Sequence, residues 1–179
     1  MNVAVFCSSK ANLSEDVFSQ AQSFSRKLVE SKMGLVYGGA SVGLMGYFAD
    51  QVLKLEGKVI GVMPEKIFDH EIAHQGLTEL IYTPDMMDRK KKMMELSSAF
   101  VMFPGGLGTM DEAIEVITWK SIYKTDKPII FFNWQGFWNP FLEMLKSYEK
   151  TGLFYPETMK SFTVVESITE MFNALEKAK

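Results

Sequence analysis

The chain has 179 residues, 19 of them basic and 22 acidic, for a formal net charge of −3. That length suits one α/β domain, residues 1–179, and is short for two, while the charge balance leaves no electrostatic footprint for nucleic acid. A single cysteine, Cys7, excludes an internal disulfide and fits a reducing cytoplasm, and no apolar run reaches the ~18 residues of a membrane helix.

The predicted elements alternate along the chain. Met1 to Cys7 is apolar without a basic leader and reads as a first strand, Val3–Cys7, rather than a signal peptide. Val17, Phe18, Ala21, Phe24, Leu28 and Val29 form one stripe of a helix, with Gly34 as its expected C-terminal cap. A strand over Leu35–Tyr37 runs into a glycine cluster, Tyr37-Gly38-Gly39-Ala40-Ser41-Val42-Gly43-Leu44-Met45-Gly46, and a helix over Gly43–Leu55. Val59–Met63 is a third strand. Pro64 to Thr78, which carries both histidines (His70 and His74), is the least regular stretch, expected to be a loop over the site or an excursion at a subunit contact. A strand over Leu80–Tyr82 follows, then a helix over Met86–Ser97 with Asp85 as N-cap. The remainder reads as a strand over Phe100–Phe103, a helix over Met110–Tyr123, a strand over Ile129–Phe132, a helix over Phe137–Lys150, a strand over Phe162–Val165 and a helix from about Ile168. Short apolar strands without a period of two mark a parallel sheet covered on both faces. The βαβα rhythm predicts a Rossmann-like α/β domain, an open parallel sheet of about seven strands with helices on both faces.

The most informative stretch is Val101-Met102-Phe103-Pro104-Gly105-Gly106-Leu107-Gly108-Thr109-Met110-Asp111-Glu112. Strand, glycine-rich turn and helix N-terminus in that order make an anion site, because glycines admit a phosphate close to the backbone and free N–H groups point at it. The turn is not a Walker A loop, since no Gly-Lys-Ser/Thr follows. It is a poor dinucleotide fingerprint too: Asp111 stands where a third glycine belongs, and the next strand ends in Phe132-Asn133 without a ribose-binding acid. These features point to a single terminal phosphate, with the Glu112 carboxylate about one helical turn away. Two plainer readings compete. The glycines can serve a tight turn alone, and Thr109-x-x-Glu112 can be a capping box that satisfies the first N–H groups of the helix.

The second glycine cluster also joins a strand to a helix, and in an open parallel sheet it can face the same crevice, a reading slightly favoured over close packing of helix on strand. In Met86-Met87-Asp88-Arg89-Lys90-Lys91-Lys92-Met93-Met94, about 100° per residue groups Met86, Lys90, Met93 and Ser97 on one side, with Arg89 at its edge, and leaves Lys91 and Lys92 as surface charges. A guanidinium on an apolar face needs an anionic partner, which a phosphate or Glu112 supplies. No pattern of histidines or carboxylates completes a metal site, no cofactor is implied, and no Ser/His/Asp order is visible.

Three of these segments together resemble the Lonely Guy family of cytokinin riboside 5′-monophosphate phosphoribohydrolases. Pro104–Glu112 matches its P-G-G-x-G-T-x-x-E, Met86–Lys90 its M-H-x-R-K, and Tyr37–Gly46 its Y-G-G-G-x-x-G-L-M-G, in the same order over nearly the whole chain. Some family members carry a lysine decarboxylase label, which nothing here supports. The resemblance implies a Rossmann-like fold and hydrolysis of the N-glycosidic bond of AMP or N6-substituted adenosine monophosphates. It carries the catalytic pair over to Arg89 and Glu112, and substrate contacts to Lys90, Glu71, Thr118 and the loop Gly105, Gly106, Leu107, Gly108, Thr109, Met110 and Asp111. Gly38, Gly39 and Ser9 are further candidate contacts. A homodimer with the site near its interface is also implied. Met87 in place of the family histidine, Ala40 in place of a glycine, and Cys7-Ser8-Ser9 without the usual glycine are departures that bear on base preference more than on reaction type. The competing readings are a non-catalytic nucleotide or molybdenum-cofactor carrier, and an enzyme that passes the sugar to another base.

Overall fold

A computed structural model describes residues 1–65, 72–155 and 157–177. Its seven strands are β1 (Asn2–Phe6), β2 (Gly34–Tyr37), β3 (Val59–Pro64), β4 (Glu79–Thr83), β5 (Ala99–Met102), β6 (Ile129–Phe132) and β7 (Thr163–Val165). They form one sheet in the order β4-β3-β2-β1-β5-β6-β7, every pair parallel. The six α-helices are α1 (Glu15–Glu30), α2 (Gly43–Lys54), α3 (Met86–Leu96), α4 (Leu107–Tyr123), α5 (Asn139–Lys150) and α6 (Ile168–Glu176).

The five strands between the edges are buried on both faces, which is why they read as apolar runs. Alternate residues divide between two cores. Val3, Val5, Leu35, Val101, Phe103 and Phe132 face one cluster with Phe24 and Leu28 of α1, Phe48 of α2 and Phe172 of α6. Ala4, Phe6, Val36, Phe100, Met102 and Phe131 face the other with Met93 of α3, Val116 of α4 and Phe141 of α5. Helices therefore cover both faces, as the sequence pattern predicts. The edge strands behave differently: β4 and β7 keep exposed positions because each has a neighbour on one side only.

Two sequence expectations change. α1 stops at Glu30, and Gly34 opens β2 instead of capping the helix. Lys32 takes the left-handed turn (φ 55), and the N–H groups of Lys32 and Met33 close on the carbonyls of Val29 and Leu28 at 2.9 and 3.0 Å. α4 starts at Leu107 rather than Met110, because Gly106 is its N-cap (φ −90, ψ −154) and nothing in Leu107-Gly108-Thr109 prevents helical dihedrals.

The strand order fixes where a ligand can bind. From β1 the chain steps outward through β2, β3 and β4, then returns to place β5 on the other side of β1. The loops after β1 and β5 thus leave the sheet in opposite directions and open a crevice beyond its carboxyl edge. Before they part, the Phe103 and Ser8 N–H groups donate to the carbonyls of Phe6 and Pro104 at 2.9 and 3.2 Å. Phe103 is further fixed by ring contacts to Phe24, Phe48 and Phe132, with centroids 5.3, 4.7 and 4.8 Å away.

Candidate active site

The glycine loop after β5 divides into two kinds of glycine. Gly105 is buried under Thr109, and a Cβ added to it would lie 2.1 Å from Thr109 Oγ1. A Cβ on Gly106 or Gly108 would meet nothing within 4 Å, so these two border open space. No side chain caps α4, and its first ladder bond runs from Met110 N–H to the Gly106 carbonyl at 3.0 Å. The N–H groups of Leu107, Gly108 and Thr109 therefore have no partner within the helix and lie at its positive end.

The early start of α4 decides the role of Glu112. The residue sits in the second turn, beyond the reach of a capping box, and the first turn carries no acid. Its side chain is only 12% exposed and faces Arg89, with Oε1 3.6 Å from Nη1. Burial raises the Glu112 carboxyl from the ordinary 4.5 to about 7, against the opposing pull of Arg89.

Arg89 comes from the first turn-and-a-quarter of α3, where Asp85 caps the helix by accepting the Asp88 N–H at 2.9 Å. Its Nε donates to the Val62 carbonyl at 3.1 Å, and Nη1 lies 3.1 Å from Met86 Sδ. The guanidinium lies against Gly38, where an added Cβ would fall 2.1 Å from Nη2. Gly38 thus makes room for Arg89. Gly39 takes a positive φ of 82 and packs against Met63 and Leu80.

Arg89, Glu112 and residues Gly106 to Thr109 line one cavity of about 240 Å³, together with Ser9 and with Cys7, Ser8, Lys10 and Met45, which sequence reasoning did not assign. Burial first, then the Glu112 charge, pushes the Cys7 thiol well above its usual range, so it lines the cavity in its protonated form. The signal that would have found Lys10 and Cys7 is the strand order, which sets the loop after β1 beside the loop after β5.

Other expected contacts lie elsewhere. Lys90 is held by Asp111 (Nζ to Oδ2, 3.0 Å) and by Glu115. Burial lowers its ammonium, but these two carboxylates outweigh that and hold it above the usual lysine range. Lys90, Asp111 and Thr118 line a neighbouring groove on α4, and Met110 packs on the core below. Helical phase alone grouped Lys90 near Arg89; the structure adds the acids of α4 that pair with it. Glu71 and His70 fall outside the described residues. The Ile72 carbonyl accepts the Ser41 N–H at 2.8 Å, and His74 lies 3.1 Å from Asp50.

The fold and the site define a Rossmann-like protein with a helix N-terminus that no side chain caps beside a buried Arg–carboxylate pair at the topological switch point. A family model described as possible lysine decarboxylase matches residues 45–175. The chain is 38% identical over 168 residues to a cytokinin riboside 5′-monophosphate phosphoribohydrolase of Rhodococcoides fascians, covering 93% of this chain and 85% of that one. It is 34% identical over 177 residues to one of Arabidopsis thaliana, covering 99% and 78%. Among solved structures it resembles the molybdenum cofactor carrier protein of Chlamydomonas reinhardtii with a TM-score of 0.75 at 18% identity, covering 99% of this chain and 96% of that one. The chain belongs to the family that these phosphoribohydrolases share, the Lonely Guy family whose motifs its sequence carries. The carrier protein shares its fold.

Proposed function

We propose that the protein hydrolyses the N-glycosidic bond of AMP or of an N6-substituted adenosine 5′-monophosphate, releasing the free base and ribose 5-phosphate. One observation carries the reading. Glu112, free of any capping duty, is buried opposite Arg89 in the cavity whose rim is the amide row Leu107–Thr109. A 5′-phosphate at those amides sets the ribose toward the Glu112 carboxyl. As the C1′–N9 bond breaks, its electron pair leaves with the base and positive charge develops at C1′, where a carboxylate stabilises it. The oxygen of a water molecule then bonds to C1′ as one of its O–H bonds breaks, and that proton balances the one taken up by the departing base, so the products are the neutral base and ribose 5-phosphate. Arg89 orients Glu112 and offsets negative charge. The cavity, about 240 Å³, is smaller than a typical pocket of about 300–1,000 Å³. It takes the ribose phosphate and leaves the base at the rim, beside exposed Leu107.

The protein acts as a homodimer in this reading. Ile114, Thr118 and Ile122 recur along one exposed stripe of α4, next to Tyr123, and a second copy covers them. That contact gives Thr118 a place near the site that its own cavity does not. Sedimentation at micromolar concentration reads the dimer, and Ile114→Lys with Ile122→Lys should give monomers.

Activity is tested by incubating the protein with nucleoside monophosphates and the matching nucleosides, then separating base and ribose 5-phosphate by chromatography. Cleavage of the monophosphates alone supports the reading. Tight binding of AMP without release of base supports a carrier, and equal cleavage of nucleosides removes the phosphate anchor.

A further inference from the structure

The phosphate-binding cation of this site is not settled by the motifs. A helix N-terminus contributes only about 0.3–2 kcal/mol to holding an anion, so a phosphoryl dianion needs a cation beside the amides. Lys90, a substrate contact by the family resemblance, lines the neighbouring groove and is held by Asp111 and Glu115. Arg89 lines the cavity but is already engaged by Val62, Met86 and Glu112. Of the described residues lining the cavity, one further cation remains: Lys10, exposed on the loop after β1. Among the described residues, no carboxylate lies within ion-pair distance of its ammonium.

The backbone beneath Lys10 is firmly held. Its N–H donates to Ser8 Oγ at 3.0 Å, and the Ser8 N–H donates to the Pro104 carbonyl at 3.2 Å, which ties this loop to the glycine loop. On the other side Gly43 of α2 packs directly on the loop, where an added Cβ would lie 2.1 Å from the Ser9 carbonyl oxygen and 2.7 Å from that of Lys10. A fixed backbone carrying an exposed lysine thus borders the same cavity as the amides of α4. Ammonium groups bind phosphate as point charges and need no fixed fork geometry.

We propose that Lys10 is the phosphate-binding cation of this site and sets its preference for phosphorylated over unphosphorylated ribosides. The inference rests on the cavity being the nucleotide site. It separates from the proposed reaction because binding of ribose 5-phosphate requires no turnover.

The test is titration calorimetry with ribose 5-phosphate and with inorganic phosphate on the wild type, Lys10→Gln, Lys10→Arg and the surface control Lys91→Gln. Kinetics with AMP are measured alongside. The expected result is a loss of affinity of at least about tenfold for both ligands in Lys10→Gln, little loss in Lys10→Arg and none in Lys91→Gln, with KM for AMP rising by a similar factor and kcat within about twofold. Ribose 5-phosphate binding to Lys10→Gln as tightly as to wild type overturns the proposal, as does failure of the wild type to bind it. Wild-type protein that binds ribose 5-phosphate through Lys10 yet leaves every nucleotide intact overturns the hydrolase reading and sustains this one.

Discussion

Replacing Glu112 by Gln should make the protein more stable and nearly inactive at the same time. Burial raises this carboxyl from 4.5 to about 7 even with Arg89 opposite. The folded state therefore holds a proton that the unfolded state has released, and stability falls as pH rises between those two values. Each pKa unit is worth about 1.36 kcal/mol, so the charged carboxylate costs the fold about 3 kcal/mol above about pH 8 and nothing below about pH 4. Gln has the shape of the neutral acid at every pH. Urea unfolding should give wild type and variant similar stabilities near the acid end, with the variant ahead by up to about 3 kcal/mol at about pH 8. The same variant should lose about 10³-fold in kcat, which is about 4 kcal/mol of transition-state stabilisation. A stability difference that does not change with pH, or a variant less stable than wild type at alkaline pH, refutes the burial argument. Near wild-type turnover refutes the catalytic role.

Two further predictions separate fold from function. Gly38→Ala should leave the melting temperature within about 2 °C, because the added methyl meets only the ends of the flexible Arg89 and Met45 side chains, yet lower turnover about 10²-fold by displacing the guanidinium; in an Arg89→Ala background the same change should lower turnover little further. Gly105→Ala and Gly108→Ala should part company. The first forces Thr109 to move and destabilises by about 1–3 kcal/mol. The second meets open space, gains up to about 1 kcal/mol as a helix residue, and weakens binding of phosphorylated ligands, as unfolding and calorimetry on both will read.

The five inner strands were legible because a parallel strand buried on both faces announces itself as a short apolar run, and the part-exposed edge strands β4 and β7 were legible from the alternation of strands with helical stretches. Their order was not, since it depends on how each crossover packs, and Lys10 stayed hidden with it. A lone lysine in a polar loop carries no signal until β5 is known to lie beside β1. The motifs located Arg89 and Glu112, but Thr109 and Glu112 mimic a capping box, and only the extended backbone of Gly106 shows the helix starting too early for one. The partners of Lys90 were hidden for a different reason. Helical phase describes a helix alone, and Asp111 and Glu115 belong to a neighbour. At the end of α1, Lys32 adopts a left-handed conformation that sequence rules reserve for glycine, so Gly34 drew the assignment.

The central claim concerns where one phosphate and one sugar carbon sit. A crystal structure of Glu112→Gln with AMP tests it most directly. The expected complex has phosphate oxygens on the N–H groups of Leu107, Gly108 and Thr109 and C1′ facing the side chain of residue 112. A nucleotide seated instead in the groove of Lys90 and Thr118, or one whose ribose turns away from residue 112, contradicts it.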